Sequence, residues 1–222
     1  MENIVLYILV LIIPTIATIN VQAVYGKYKS CNNKKKLSGF EVARKILDEN
    51  GLKDMYIVEV HGNLTDHYDP TQKVIRLSTD VFHGETVAAA AVAAHECGHA
   101  IQDKEGYSVF KIRSSLFPIV NFATYMAYIL FFISVFFQMF DLLIIAIALV
   151  VISLVFQVVT LPVEFDASKR ALKKIDELDL VSEEEKEGTE KVLKAAALTY
   201  VAAVLSSILN LVRLIMENAR RD

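Results

Sequence analysis

Only two cysteines, Cys31 and Cys97, occur in the 222 residues. That scarcity excludes the disulfide framework of a small secreted fold and makes a reducing compartment the simpler setting. Positive charge is not in excess either: 23 Lys and Arg stand against 26 Asp and Glu, a net charge of −3. No basic block is large enough to line a phosphate backbone, so a nucleic-acid partner is excluded. The four prolines and eight glycines form no Pro/Gly/Ser-rich linker, and no internal repeat is present. Lysine and arginine are missing from Met1-Glu2-Asn3, ahead of the first apolar run, whereas a cleavable signal peptide places its positive charge there.

Apolar residues are abundant, at 54% of the chain. With a mean hydropathy of +0.41, this composition predicts a small membrane protein with one modest soluble part. The first charge-free run extends from Ile4 to Val24, about the 20 residues needed to cross a bilayer. The lysines at 27, 29, 34, 35 and 36 follow it, which by the positive-inside rule turns residue 27 onward to the cytoplasm. Two further runs, Ile119 to Phe137 and Leu142 to Leu161, are separated only by residues 138–141 and predict a tight helical hairpin. Lys111 and Arg113 before it, and Lys169, Arg170, Lys173 and Lys174 after it, return both ends to the cytoplasmic side. A fourth run, Ala195 to Met216, contains Thr199, Tyr200, Ser206, Ser207, Asn210 and Arg213. It reads as a span packed inside a bundle, with an amphipathic helix on the bundle as the alternative.

Between Leu37 and Tyr107 the pattern is that of a small α+β domain. Ser38 and Glu41 have capping-box spacing before an amphipathic helix that Gly51 can close. The β-rich runs 55–60 and 73–77, with turn signals at Gly62-Asn63 and Asp69-Pro70, predict a β-hairpin or meander. Ser78 or Thr79 is then expected to cap one long helix running through the alanines at 88–91. Ser182 and Glu185 form a second capping-box pattern, its acids read as a solvated helix start.

That alanine-rich helix carries His95-Glu96-Cys97-Gly98-His99. Positions four apart share a helix face, so both imidazoles can address one zinc ion, while Cys97 points off that face. Glu96 is placed to take a proton from a water whose pKa zinc lowers toward about 7. A catalytic zinc usually has three protein ligands and an open fourth position. Glu164, just beyond the third run and preceded by Pro162, which can bend the helix, meets the need for an acid on the same side of the membrane. Asp166 is the runner-up ligand, and a simple boundary pair of Glu164 with Arg170 is the alternative. His61, His67 and His83 read as residues outside the ligand set.

The motifs AVAAHECGHAIQ at 91–102, LPVEFDAS at 161–168 and LTDHYDP at 64–70 together resemble the YugP-type membrane zinc metallopeptidases, along nearly the whole chain. The resemblance implies a neutral zinc endopeptidase with His95, His99 and Glu164 as ligands and Glu96 as general base. A more distant similarity links the chain to the HtpX and CAAX-prenyl-protease group, although Ser168 stands where that group has a supporting aspartate; Asp166 is a candidate substitute.

The resulting expectation is a mostly α membrane protein with about four transmembrane helices and a small cytoplasmic α+β zincin-like metallopeptidase domain. Its parts are a transmembrane helix (1–26), the cytoplasmic domain (27–110), a transmembrane hairpin (111–163), a cytoplasmic segment bearing Glu164 (164–194) and a fourth transmembrane helix with the C-terminus (195–222). The protein is read as integral to a plasma membrane of bacterial type, with Zn2+ as cofactor, the lipid bilayer as surroundings, and an unfolded or membrane-proximal polypeptide as substrate. His61, His67, Tyr68, Tyr107 and Arg170 are the candidates for stabilising the oxyanion. A non-proteolytic metal-binding scaffold is the alternative, and a metal transporter is disfavoured because the histidines lie outside mid-membrane.

Overall fold

The computed structural model describes residues 2–218. Among the described residues the chain is mostly helical, with one small sheet, and four helices are long and apolar enough to cross a membrane. These are α1 (Glu2–Lys29), α5 (Ser108–Phe137), α6 (Phe140–Glu177) and α7 (Glu183–Asn218). Each apolar run seeds a helix that continues past its own end. In particular, α6 passes through Pro162 and carries Glu164 on the same unbroken helix as the apolar run. The hairpin turn is tight: Gln138 adopts φ +55°, and the Met139 N–H donates back to Ser134 O at 3.0 Å.

Hydroxyls and amides join these helices where apolar contact alone gives little orientation. Thr124 and Ser153 are bonded at 2.8 Å between α5 and α6, and Ser207 Oγ donates to Gln157 Oε1 at 2.9 Å between α7 and α6. Ser206 Oγ donates to Val10 O of α1 at 3.2 Å. Ser206 and Ser207 of the fourth run therefore face neighbouring helices. Outward, α1 exposes Ile4, Leu11 and Ile16.

The remaining elements pack around α4 (Val87–Lys104). Helix α2 (Gly39–Glu49) starts with the predicted capping box, Ser38 with Glu41, and buries Val42, Ala43, Ile46 and Leu47 as one stripe. The sheet differs from the expected hairpin of the two longer runs. Strand β1 (Tyr56–Val60) pairs parallel to β3 (Val74–Ser78), and β2 (His67–Asp69) pairs antiparallel to the other side of β3. Asp69 makes the β2–β3 turn, its Oδ1 accepting from the N–H groups of Thr71 and Gln72. The Gly62-Asn63 signal therefore begins a crossover rather than a hairpin.

The single long helix expected from Ser78 is also divided. A short α3 (Thr79–Phe82) stops before Gly84, and α4 restarts with Thr86 as N-cap, its Oγ1 accepting from Ala89 N at 3.1 Å. A β-carbon on Gly84 would fall 2.2 Å from Asp80 O, so the break requires glycine. The lysines after α1 are anchored: Lys34 pairs with Glu184 and Lys35 with Asp179, while buried Asn33 donates to Leu180 O. The acids near the start of α7 thus hold the loop after α1 in place.

Candidate metal centre

The approach of α4 to α6 depends on Gly98, because a β-carbon there would sit 2.5 Å from Ala167 O. One turn before Ala167 on α6, Glu164 comes opposite the two imidazoles. Its Oε2 lies 3.2 Å from His95 Nε2 and 3.6 Å from His99 Nε2. All three potential donor atoms lie within 4.8 Å of one another. A tetrahedral zinc with bonds of about 2.0–2.1 Å has donor–donor edges of roughly 3.3 Å, so the observed spacings suit one ion. The donor set also argues for a cation: a carboxylate with only 3% of its side chain exposed faces two imidazole nitrogens. Cys97 points elsewhere, its Sγ 3.6 Å from Ala43 O.

Each histidine is held by its other nitrogen. Ser168 Oγ lies 3.2 Å from His95 Nδ1, and Gln102 Oε1 lies 3.0 Å from His99 Nδ1. The Gln102 amide oxygen can only accept, so His99 carries its proton on Nδ1 and keeps its Nε2 lone pair free for a metal; the Ser168 hydroxyl holds the His95 ring and is able to accept from its Nδ1–H in the same way. Gln102 is fully buried, and its Nε2 donates to Val163 O and to Asp166 Oδ2, each at 2.8 Å. Asp166, the runner-up ligand, is thus bonded away from the three donor atoms. Arg170 is bonded to it at 2.5 Å and to Glu105 at 2.5 Å. The expected alternative of a Glu164–Arg170 pair is therefore not formed; the base beside Glu164 is Arg113, at 3.9 Å.

Glu96 is buried next to this cluster, and its Oε2 accepts from the Tyr68 N–H of β2 at 2.8 Å. Burial pushes its carboxyl up to about 7; His95 opposes this, and the negative charges of Glu164 and Asp66 add to it. Asp66 accepts from Ser78 N at 2.7 Å and from Ser78 Oγ at 3.0 Å. A cavity of about 300 Å³ opens onto His95, Glu96 and Glu164 and is also lined by Asp66, Ser168 and Tyr200.

None of the five oxyanion candidates lines that cavity. The Tyr68 hydroxyl donates to Asp103, the Arg170 guanidinium lies over the Tyr107 ring, and His67 Nδ1 is bonded to Thr65 O. His61 is exposed, and His83 is paired with Glu59. Tyr200 of α7 lines the same cavity as Glu164, and in the sequence only its polar tip marks it within an apolar run. Gln102 lay inside a quoted motif, but nothing local indicated its bond to His99.

Two histidines and a glutamate converging across two helices, with a buried second glutamate alongside, are the features of a metallopeptidase centre. The chain belongs to the family described as "putative neutral zinc metallopeptidase", whose model matches residues 3–218. It is 44% identical over 200 residues to the "Putative membrane protease YugP" of Bacillus subtilis (strain 168), a match covering 90% of this chain and 89% of that one. No solved structure matches the chain.

Proposed function

We propose that this chain is a membrane-embedded, zinc-dependent endopeptidase of the His-Glu-x-x-His…Glu type, with His95, His99 and Glu164 holding the metal and Glu96 serving as general base. The observation that carries this reading is the convergence of the three donor atoms from α4 and α6 beside a buried carboxylate that is not one of them. A purely structural zinc site is usually closed by four ligands and has no use for such a carboxylate. Bound zinc supplies a Lewis acid and makes water acidic enough to be a nucleophile at neutral pH.

The protein's own groups do the rest. Gln102 fixes the His99 tautomer, Ser168 holds the His95 ring, and the Tyr68 N–H anchors one oxygen of Glu96. Glu96 takes the proton of the attacking water and passes it to the leaving amine. Tyr200, the hydroxyl-bearing side chain lining the cavity closest in chemistry to an oxyanion donor, is assigned to the developing negative charge. An extended substrate lies along β2, the edge strand at Glu96, and bonds to the outer main-chain groups that Glu96 leaves free.

The compact part around α4 is assigned to a zincin-like domain on the cytoplasmic face of a plasma membrane. The lysines after α1 and the basic residues flanking the hairpin support that orientation. The substrate is a polypeptide, unfolded or close to the bilayer.

The test is casein cleavage by the purified, zinc-loaded full chain in detergent, beside Glu96→Gln with its zinc content measured. The expected result is cleavage by the parent and loss of at least about 100-fold in the variant, with one zinc retained in each. Equal cleavage by both proteins would remove Glu96 from the chemistry.

A further inference from the structure

The cavity at the metal centre is larger than the polar groups alone require, and the rest of its wall is apolar. Val21 of α1, Val92 of α4, and Val192, Leu193 and Ala196 of α7 line it, with Leu64 from the loop before β2. Val192 and Leu193 are buried at 3% each, so their part of the wall belongs to the packed interior. Leu64 is 52% exposed and lies where the cavity meets the outside. The alanines at 196 and 197 leave the space open; a larger side chain on that face of α7 would fill it.

We infer that this apolar wall is a specificity pocket for the side chain adjoining the scissile bond, and that it takes leucine- or phenylalanine-sized residues. The inference rests on the endopeptidase reading above and deepens it by naming the substrate class. The occupant is identified by continuity: one 300 Å³ cavity contains both the wall and His95, Glu96 and Glu164, so a group seated on the wall is already beside the reacting bond. Its chemistry follows from what the wall offers. A charged or amide side chain would lose its hydration against Val21, Val192 and Leu193, and a basic one would recover only the Asp66 carboxyl, which Ser78 already engages. An acidic one would also meet the carboxyl of Asp66. An aliphatic or aromatic side chain replaces water at no such cost. Two wall elements, α1 and α7, are membrane-capable helices, so the pocket suits the apolar residues at the edge of a membrane-spanning or misfolded segment.

The experiment uses the full chain in detergent, zinc-loaded, with fluorogenic peptides carrying Leu, Phe, Ala or Asp on either side of the bond. The parent is expected to favour Leu or Phe over Ala by at least about tenfold in kcat/KM at one of the two positions. Ala196→Leu fills the pocket and should bring that ratio within about threefold, while Leu64→Ala, a loop change that spares the packed interior, should lower it in the same direction. Hydroxamates bearing a benzyl or a methyl group, titrated onto zinc-loaded Glu96→Gln, read the pocket without turnover. The benzyl compound should bind at least about tenfold more tightly, and Ala196→Leu in that background should abolish the difference. Cleavage with no side-chain preference, or a preference untouched by both variants, overturns the pocket and leaves the peptidase standing. Benzyl-selective binding without cleavage of any peptide supports the pocket and sinks the peptidase.

Discussion

Gln102 joins three parts of the centre through one amide: the His99 ring, the Val163 carbonyl and Asp166. Gln102→Leu keeps roughly the same size and removes all three bonds. It should weaken zinc binding by about 10–100-fold, measured by competition with a chelating dye, because a free His99 ring no longer keeps its orientation. Asp66 offers a test by pH. Burial raises its carboxyl above the ordinary 3.8, so the folded protein binds that proton more tightly than the unfolded chain does. Its contribution is fully present below 3.8 and is lost as pH rises through the raised value, then stays level. Asp66→Asn keeps an oxygen for Ser78 and cannot ionise. Its unfolding midpoint should gain on the parent as pH rises from 4 and hold that margin at neutral pH, followed by thermal unfolding across a pH series. At this scale the sequence made His95, Glu96 and His99 visible because their relation is local, four residues on one helix. Glu164 required the hairpin to bring the chain back. Ser168, Gln102 and Tyr200 act across gaps between elements, which spacing along the chain does not encode.

The elements were legible in proportion to their length. Four apolar runs gave four helices, and the Ser38 capping box set the start of α2. The three-residue β2 is too short for an alternating pattern to mark it, so β1 was assigned to the wrong partner geometry. Ser78, Thr79 and Thr86 share the same capping chemistry, and it is the close approach at Gly84 that hands the start of α4 to Thr86. Thr86→Ala removes the bond to Ala89 N, one of the orphan N–H groups of that helix. The loss should be about 1 kcal/mol of stability, read as a lower denaturant midpoint at unchanged slope, with zinc still bound because the histidines lie two turns further on.

For the molecule as a whole, the proposed orientation places Lys53 inside the cell and Gln138, at the hairpin tip, outside; both are exposed. In a background without Cys31, a membrane-impermeant maleimide should label Gln138→Cys in intact cells and Lys53→Cys only after permeabilisation. The reverse pattern would turn the centre to the outside. The charge rule made this side assignment possible, whereas the packing of α1 and α7 around the cavity could not be read from hydropathy. Each helix merely looked apolar, and their close approach lies in details such as Gly188, where a β-carbon would fall 2.7 Å from the Tyr28 ring.

The unbroken course of α6 has one more consequence. From Phe140 to Glu177 it is a single rod, with the hairpin tip at one end and Glu164, the proposed metal ligand, roughly 36 Å along it, at 1.5 Å per residue. His95 and His99, the proposed partner ligands, stand on α4, which is not one of the helices long and apolar enough to cross a membrane. A bilayer too thin for the hairpin tilts that rod, and the tilt reaches Glu164 as a sideways displacement against fixed histidines. On the proposed reading of the centre, lipid thickness is then a mechanical input to the grip on the ion, with the hairpin as the lever's long arm.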